Sequence, residues 1–311
     1  MIRVINVVLT TTMVTVLSCM PAIAAETTKD NIVPAMAEES SPHHISGMVA
    51  FGTDYYWRGY SSTGGEAAVQ GEIDYEHTSG FYAGIWGSNV DYGAEYVDDF
   101  DEWTYAEETS NLELDFWVGF LKELGPIELD LMAIYYFNPG NADAGLLADP
   151  EVDDWVKGEA ESDMFELHIG LAHRFDMPTT PKLSVGYDYT PNYSNEDGDG
   201  HHVNAILDLG LPADIGLQFE AGYQTVEGDK TTGCDSTGYC YGQDGESGFD
   251  YGYYRIGINR DFFFDGFNFD LSYWYNSEED WFQSIYDELR DEYGYGTVAE
   301  AKFILTASYS F

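Results

Sequence analysis

The chain has 311 residues, with 12 Lys and Arg against 56 Asp and Glu and a formal net charge of −44. A chain this acidic repels phosphate backbones, which argues against nucleic-acid binding, and it concentrates cations near its surface. Beyond residue 25 no stretch approaches the ~20 uninterrupted apolar residues of a spanning helix, which excludes helical membrane insertion.

Acidity alone suits a disordered chain, but here it coexists with 44% hydrophobic residues and regular alternation. The 25 Tyr, 18 Phe, 7 Trp and 33 Gly are the residues a membrane barrel uses for interfacial girdles, tight turns and crowded interior positions.

Residues 1–25 form an export signal. Arg3 supplies the positive n-region, Ile5 to Leu17 the apolar stretch, and Ala22-Ile23-Ala24 an A-x-A cleavage site after Pro21. Val16-Leu17-Ser18-Cys19 loosely resembles a lipobox, but the bulky Leu17 is atypical and the A-x-A layout fits better. Residues 26–44 lack periodicity and read as a flexible periplasmic linker, leaving 45–311 as the folded unit.

Alternation then begins. Val49, Phe51, Thr53, Tyr55 and Trp57 form one face of a first strand, opposite Ala50, Gly52, Asp54, Tyr56 and Arg58. After Gly59 to Gly65, an outer loop shorter than most of the others, Ala67, Val69, Ile73 and Tyr75 oppose Gln70, Glu72, Asp74 and Glu76. A charged row on so apolar a strand needs water on that side. Further strands follow at Phe81 to Val90, Leu112 to Leu121, Ile127 to Phe137, Phe165 to Phe175, Leu183 to Tyr189, Val203 to Leu211, Ile215 to Thr225, Tyr251 to Arg260 and Phe267 to Asn276. The last runs from Ala301 to Phe311, with Phe303, Leu305, Ala307, Tyr309 and Phe311 on the apolar face.

That makes about 12 strands of roughly 9 to 12 residues, the length of tilted strands crossing hydrocarbon. Their connections alternate short and long, as they do when short turns face the periplasm and long loops face outside. A soluble sandwich has no reason to sort its loops this way. The expected fold is therefore all-β, a transmembrane antiparallel up-and-down β-barrel behind an N-terminal signal peptide, in the bacterial outer membrane. Within the last long loop, Trp281, Ile285 and Leu289 recur at helical spacing and predict a helix packed on the rim.

The segment TDYYWRGYSSTGGEAAVQGEIDYEHTSGFYAGIWGSNVDYG, from Thr53 to Gly93, resembles the TorF-type family of outer-membrane porins. Its members open with D-Y-x-[FW]-R-G-x-S and continue through a G-F-Y-A-G-x-W-x-S-N run, here Gly80 to Asn89. Glu113-Leu114-Asp115, Glu128-Leu129-Asp130 and the terminal Phe also fit. Family members often carry Gln where this chain has Ser62. The resemblance implies a barrel with a channel role and supplies no catalytic residue. It also implies that Phe311 is an assembly signal for the barrel-insertion machinery, the expected partner along with outer-membrane lipid.

Alternation assigns Asp54, Arg58, Glu72, Asp74, Glu76, Glu113, Asp115, Glu128, Asp130, Glu166, His168, Arg174, Asp188, Asp208, Glu220, Arg255, Asp270 and Lys302 to the lumen. A low-dielectric wall lined mainly by one sign of charge favours cations, so passive diffusion of small solutes with cation preference is the expected function. The competing expectation is a self-plugged structural barrel whose acidic loops meet a surface partner. No cofactor or catalytic site is expected. A Ser-His-Asn phospholipase site finds no clustered serine, and Gly245-Glu246-Ser247-Gly248-Phe249 fails the G-x-S-x-G elbow at its last position.

Asn195 to Gly200 imitates the start of a calcium loop, but Ile206 stands where a bidentate Glu is required. Asp98, Asp99, Asp101 and Glu102 read as a solvated face. His43-His44 and His201-His202 point apart on an extended chain and read as ordinary polar positions. Cys234 and Cys240, the only cysteines after the signal peptide, are close and even in number in an exported chain, which predicts a disulfide.

Overall fold

The computed structural model describes residues 41–91, 110–139, 146–147, 156–157, 163–191, 193, 199–226, 250–278 and 299–311. The expected signal peptide, most of the expected linker, Cys234 and Cys240, the expected Trp281 to Leu289 helix and the acidic group at 98–102 lie outside the described residues.

Among the described residues twelve antiparallel strands close a barrel. In chain order they are β1 (His43–Gly52), β4 (Ala68–His77), β5 (Phe81–Asn89), β6 (Leu112–Leu124), β7 (Ile127–Phe137), β10 (Met164–Arg174), β11 (Lys182–Thr190), β12 (Gly200–Leu211), β13 (Ile215–Val226), β14 (Tyr251–Asp261), β15 (Phe267–Asn276) and β16 (Lys302–Ser310). Two short ribbons complete the set. One is β2 (Tyr56–Trp57) with β3 (Tyr60–Ser61), and the other is β8 (Leu146–Leu147) with β9 (Val156–Lys157).

Each barrel strand pairs with its neighbours in sequence, and β16 returns to β1 with Met48 opposite Ser310 and Gly52 opposite Thr306. Phe311 extends this seam, exchanging two backbone hydrogen bonds with Gly47 at 2.9 and 3.0 Å. Closure leaves no unpaired edge.

The period of two sorts the side chains. Val49, Val69, Ile73, Leu131, Ile169, Leu171, Ile256, Ile258 and Leu305 are exposed on the outer wall. Polar and aromatic residues at the alternating positions are buried inside. An outer belt this apolar is stable against hydrocarbon and costly against water.

Compact turns hold one end. Gly80 adopts φ +97°, and a Cβ there would meet the Leu121 carbonyl oxygen at 2.1 Å. This position therefore requires glycine.

Two expectations change. The first strand begins at His43, inside the segment assigned to the linker, and stops at Gly52. Thr53 to Ala67 does not continue it. Nor are the rings all at the interfaces. Tyr55, Tyr56, Trp57, Tyr82, Trp86, Trp117, Tyr136, Tyr253 and Trp274 are buried in the interior, where they fill much of the space a wide channel would leave to water.

Candidate functional site: an inward segment across an acidic lumen

The segment after β1 turns into the barrel at the end bearing the long loops. Asp54, Tyr55, Tyr56, Trp57 and Arg58 are all buried. At its tip β2 and β3 are joined by Arg58 and Gly59, with φ +46° and +89°, the pattern of a type I′ two-residue turn. Glycine suits the second position. Arg58 adopts a conformation that non-glycine residues rarely take, held by the contacts its side chain makes.

Those contacts cross the lumen. Arg58 Nη2 donates to both oxygens of Glu166 on β10, at 2.8 and 2.9 Å, and to Asp188 Oδ2 on β11 at 3.2 Å. Nη1 donates to Gln224 Oε1 on β13 at 3.0 Å. The rest of the segment reaches the other walls. Tyr55 OH donates to Glu113 on β6 at 2.7 Å, Trp57 packs edge-on against Tyr136 of β7, and Tyr56 packs against Trp274 of β15. Asn276 Nδ2 donates to the Gly59 carbonyl at 3.2 Å, and Tyr56 OH to that of Glu300 at 2.6 Å. Inside the segment Asp54 accepts from Ser61 and Thr63 at 2.6 and 2.8 Å and pairs with Lys302 of β16.

A second buried network hangs from Asp188. His168 Nδ1 and His202 Nδ1 approach its two oxygens at 2.5 and 2.6 Å, and because a carboxylate only accepts, both nitrogens carry protons. His202 Nε2 lies 3.0 Å from Tyr253 OH, which donates to Glu220 at 2.9 Å. On the next stretch of wall Arg255 pairs with Asp270 at 2.6 Å and also contacts Gln218.

The other expected lumen residues fall as follows. Glu72, Glu113, Asp115 and Asp130 are buried on inward rows, and Tyr82 OH donates to Asp130 at 2.6 Å. Asp74, Glu76 and Asp208 are partly buried, as are Lys182 and Glu128, whose charged groups pair at 3.3 Å. Gln218 donates to Asp208 at 2.7 Å.

Arg174 is a correction. It is exposed at the turn end, 3.5 Å from the Thr180 carbonyl, because it is the last residue of β10 and lies at the barrel's end rather than along its lumen. Asp54 and Arg58 lie inside, but on the inward segment rather than on a spanning strand. His202 departs from the ordinary polar position expected of it. It is 1% exposed and central to the Asp188 network. Its parity is legible, since Asn204 and Ile206 continue the same inward row once β12 is extended back to Gly200. His201 faces the other way, within 2.8 Å of Tyr187 OH.

Among the described residues no group of three His, Cys, Asp or Glu side chains is placed to hold a metal ion.

A family model described as "Bacterial protein of unknown function (Gcw_chp)" matches residues 36–273. No curated protein matches the chain. Solved structures similar to it include the KdgM porin at 8% identity and TM-score 0.46, covering 86% of this chain and 99% of that one. The NanC porin gives 7% and 0.48 over the same shares. The COG4313 outer-membrane channel from Pseudomonas putida F1 gives 11% and 0.42 over 90% and 99%.

Proposed function

This chain belongs to the Gcw_chp family of bacterial proteins of unknown function, and from its own geometry we propose that it is a porin-like outer-membrane channel for passive diffusion of small solutes, preferring cations. One observation carries the reading. Buried inward carboxylates outnumber the bases that face them. Glu72, Glu113, Asp115, Asp130, Glu166, Asp188, Glu220 and Asp270 are buried inside together with Arg58, Arg255 and the two imidazoles. A low-dielectric wall with this imbalance lowers the energy of a cation and raises that of an anion. The apolar outer belt supports residence in a bilayer, and the TorF-type resemblance of Thr53 to Gly93 points the same way.

Twelve strands fall between barrels of about eight, which side chains fill, and porins of about sixteen, which hold an aqueous channel. Width alone therefore decides little, and the inward segment sets the aperture. The same segment favours a second reading, a structural barrel with a plugged lumen and acidic outer loops.

Planar-bilayer recording under a KCl gradient separates the two. Ohmic current with a cation-biased reversal potential supports the channel, and neutralising Glu72, Asp74 and Glu113 together should reduce that bias. Silence across many verified insertions would sink the channel and leave the plugged barrel.

A further inference from the structure

Three of the lumen's cations, Arg58, Arg255 and Lys302, share one arrangement. The Arg58 guanidinium lies 4.4 Å from the Trp57 ring centroid and pairs with Glu166. That of Arg255 lies 5.7 Å from Trp274 and pairs with Asp270. The Lys302 ammonium lies 5.3 Å from Tyr56 and pairs with Asp54. Each cation has an aromatic ring on one side and a carboxylate on another, a combination that offsets desolvation by ring quadrupole and ion pair together.

The wall of β4, β5 and β6 has the same parts but, among the described residues, no cation paired to them. Glu72, Trp86 and Asp115 are successive cross-strand neighbours, so the two carboxylates flank the indole across two strand spacings, about 10 Å. The adjacent row, toward the turn end, is Asp74, Gly84 and Trp117. Gly84 makes room there. A Cβ on it would lie 2.2 Å from Trp117 Cζ2 and 2.8 Å from Asp74 Oδ1, so the Trp117 ring rests on the β5 backbone beside Asp74.

Glu72, Asp115 and Trp86 are 5%, 3% and 2% exposed. Among the described residues no donor reaches either oxygen of Glu72, Oδ2 of Asp74 or Oδ1 of Asp115, and Trp86 Nε1 has no acceptor. A buried carboxylate without donors is stabilised by a positive partner or by taking up a proton. Tyr55 packs on Trp86 at 5.1 Å from the inward segment, which puts this wall directly beneath the narrowed mouth.

We propose that this wall is a binding station for an organic cation bearing a guanidinium or ammonium group, seated against Trp86 and Trp117 between Glu72 and Asp74 on one side and Asp115 on the other. The proposal deepens the cation-channel reading and rests on it for the route of entry. The geometry selects an organic head over a metal ion. Calcium needs six or more converging oxygens, and among the described residues no three carboxylates converge here, whereas a planar guanidinium needs one carboxylate edge and one ring face.

The test is calorimetric titration of methylguanidinium chloride, with KCl as control, into the refolded barrel in detergent, each variant checked for native heat-modifiable mobility. Saturable binding is expected, weakened about tenfold by Asp115→Asn or Trp86→Leu and less by Trp86→Phe, which keeps a ring face. If Trp86→Leu does not fold, Trp86→Phe and Glu72→Gln carry the comparison. The proposal is overturned if the wild type gives no saturable heat, if Asp115→Asn and Glu72→Gln bind like the wild type, or if equimolar KCl abolishes binding. Bilayer recording keeps the two readings apart. Saturable binding with no current overturns the channel alone, and cation-biased current without binding overturns the station alone.

Discussion

A single nitrogen of Arg58, Nη2, donates to both carboxylate oxygens of Glu166, at 2.8 and 2.9 Å, with both side chains out of contact with solvent. The same oxygens accept further bonds. Tyr136 OH and Thr190 Oγ1 donate to this carboxylate at 3.0 and 2.9 Å. The tip of the inward segment is thus tied to the wall by a charged pair whose acceptors are filled from several strands.

Arg58→Ala should therefore do two separable things. It leaves Glu166 and Asp188 buried opposite no guanidinium, a loss of about 3–5 kcal/mol for a broken buried pair, measured as the urea midpoint of the folded barrel. It also unties the segment, so single-channel conductance should rise. Adding Glu166→Gln should recover part of the stability, because the two residues share one interaction. Equal stability losses that simply add would remove this account of the anchor.

Gly84 and Gly71 provide a matched pair inside the same sheet. A Cβ at Gly84 would lie 2.2 Å from Trp117, whereas at Gly71 the nearest atom, the Met48 carbonyl oxygen, is 3.9 Å away. Gly84→Ala should cost about 1–3 kcal/mol by overpacking. Gly71→Ala should be neutral or slightly stabilising, since a strand glycine gives up more chain entropy on folding. Chemical denaturation of the two variants side by side reads the difference, and similar midpoints would show that the Trp117 niche is not tight.

The barrel itself is legible in the sequence because alternation, loop length and turn residues all report the same topology. At Thr53 to Trp57 the same signal misleads. Thr53, Tyr55 and Trp57 continue the face of Val49 and Phe51 in the sequence, yet the rings of this segment fill the lumen instead of facing lipid. Period-two sorting cannot say which solvent a ring meets. The usable clue is local: Arg58-Gly59 between Trp57 and Tyr60 suits a primed hairpin turn. His202 escapes for a different reason, since a strand begun at Val203 starts one residue too late to give it a parity. Arg174 goes astray because parity says nothing about where a strand runs past the end of the wall.

The outer belt makes a prediction of opposite character. Leu131 is exposed midway along β7, beside Ile169 of β10 and Phe120 of β6. Leu131→Arg should destabilise the barrel in bilayers by about 2–4 kcal/mol if that level is the hydrocarbon midplane. Leu124→Arg, at the turn end of β6, should cost far less. A flat profile between these two positions would show that Leu131 does not face lipid.

The seam ends on the contact between Phe311 and Gly47. Phe311 is 69% exposed, yet a Cβ on Gly47 would lie 2.8 Å from its Cζ, so the ring lies over the glycine on the outside of the closure. Its burial is too small for the ring to add much to the folded state, whereas the backbone bonds to Gly47 survive any side chain. Phe311→Ala should therefore refold in detergent with nearly unchanged stability, and a ring that acts as the assembly signal implied by the family resemblance makes its insertion in cells fall, read as the heat-modifiable fraction in outer-membrane preparations. Gly47→Leu should instead weaken the fold itself, because its side chain would displace the ring and its Cβ would sit 3.1 Å from the Glu72 carbonyl oxygen. Equal loss in detergent and in cells for Phe311→Ala would make the ring a structural element of the seam rather than a signal.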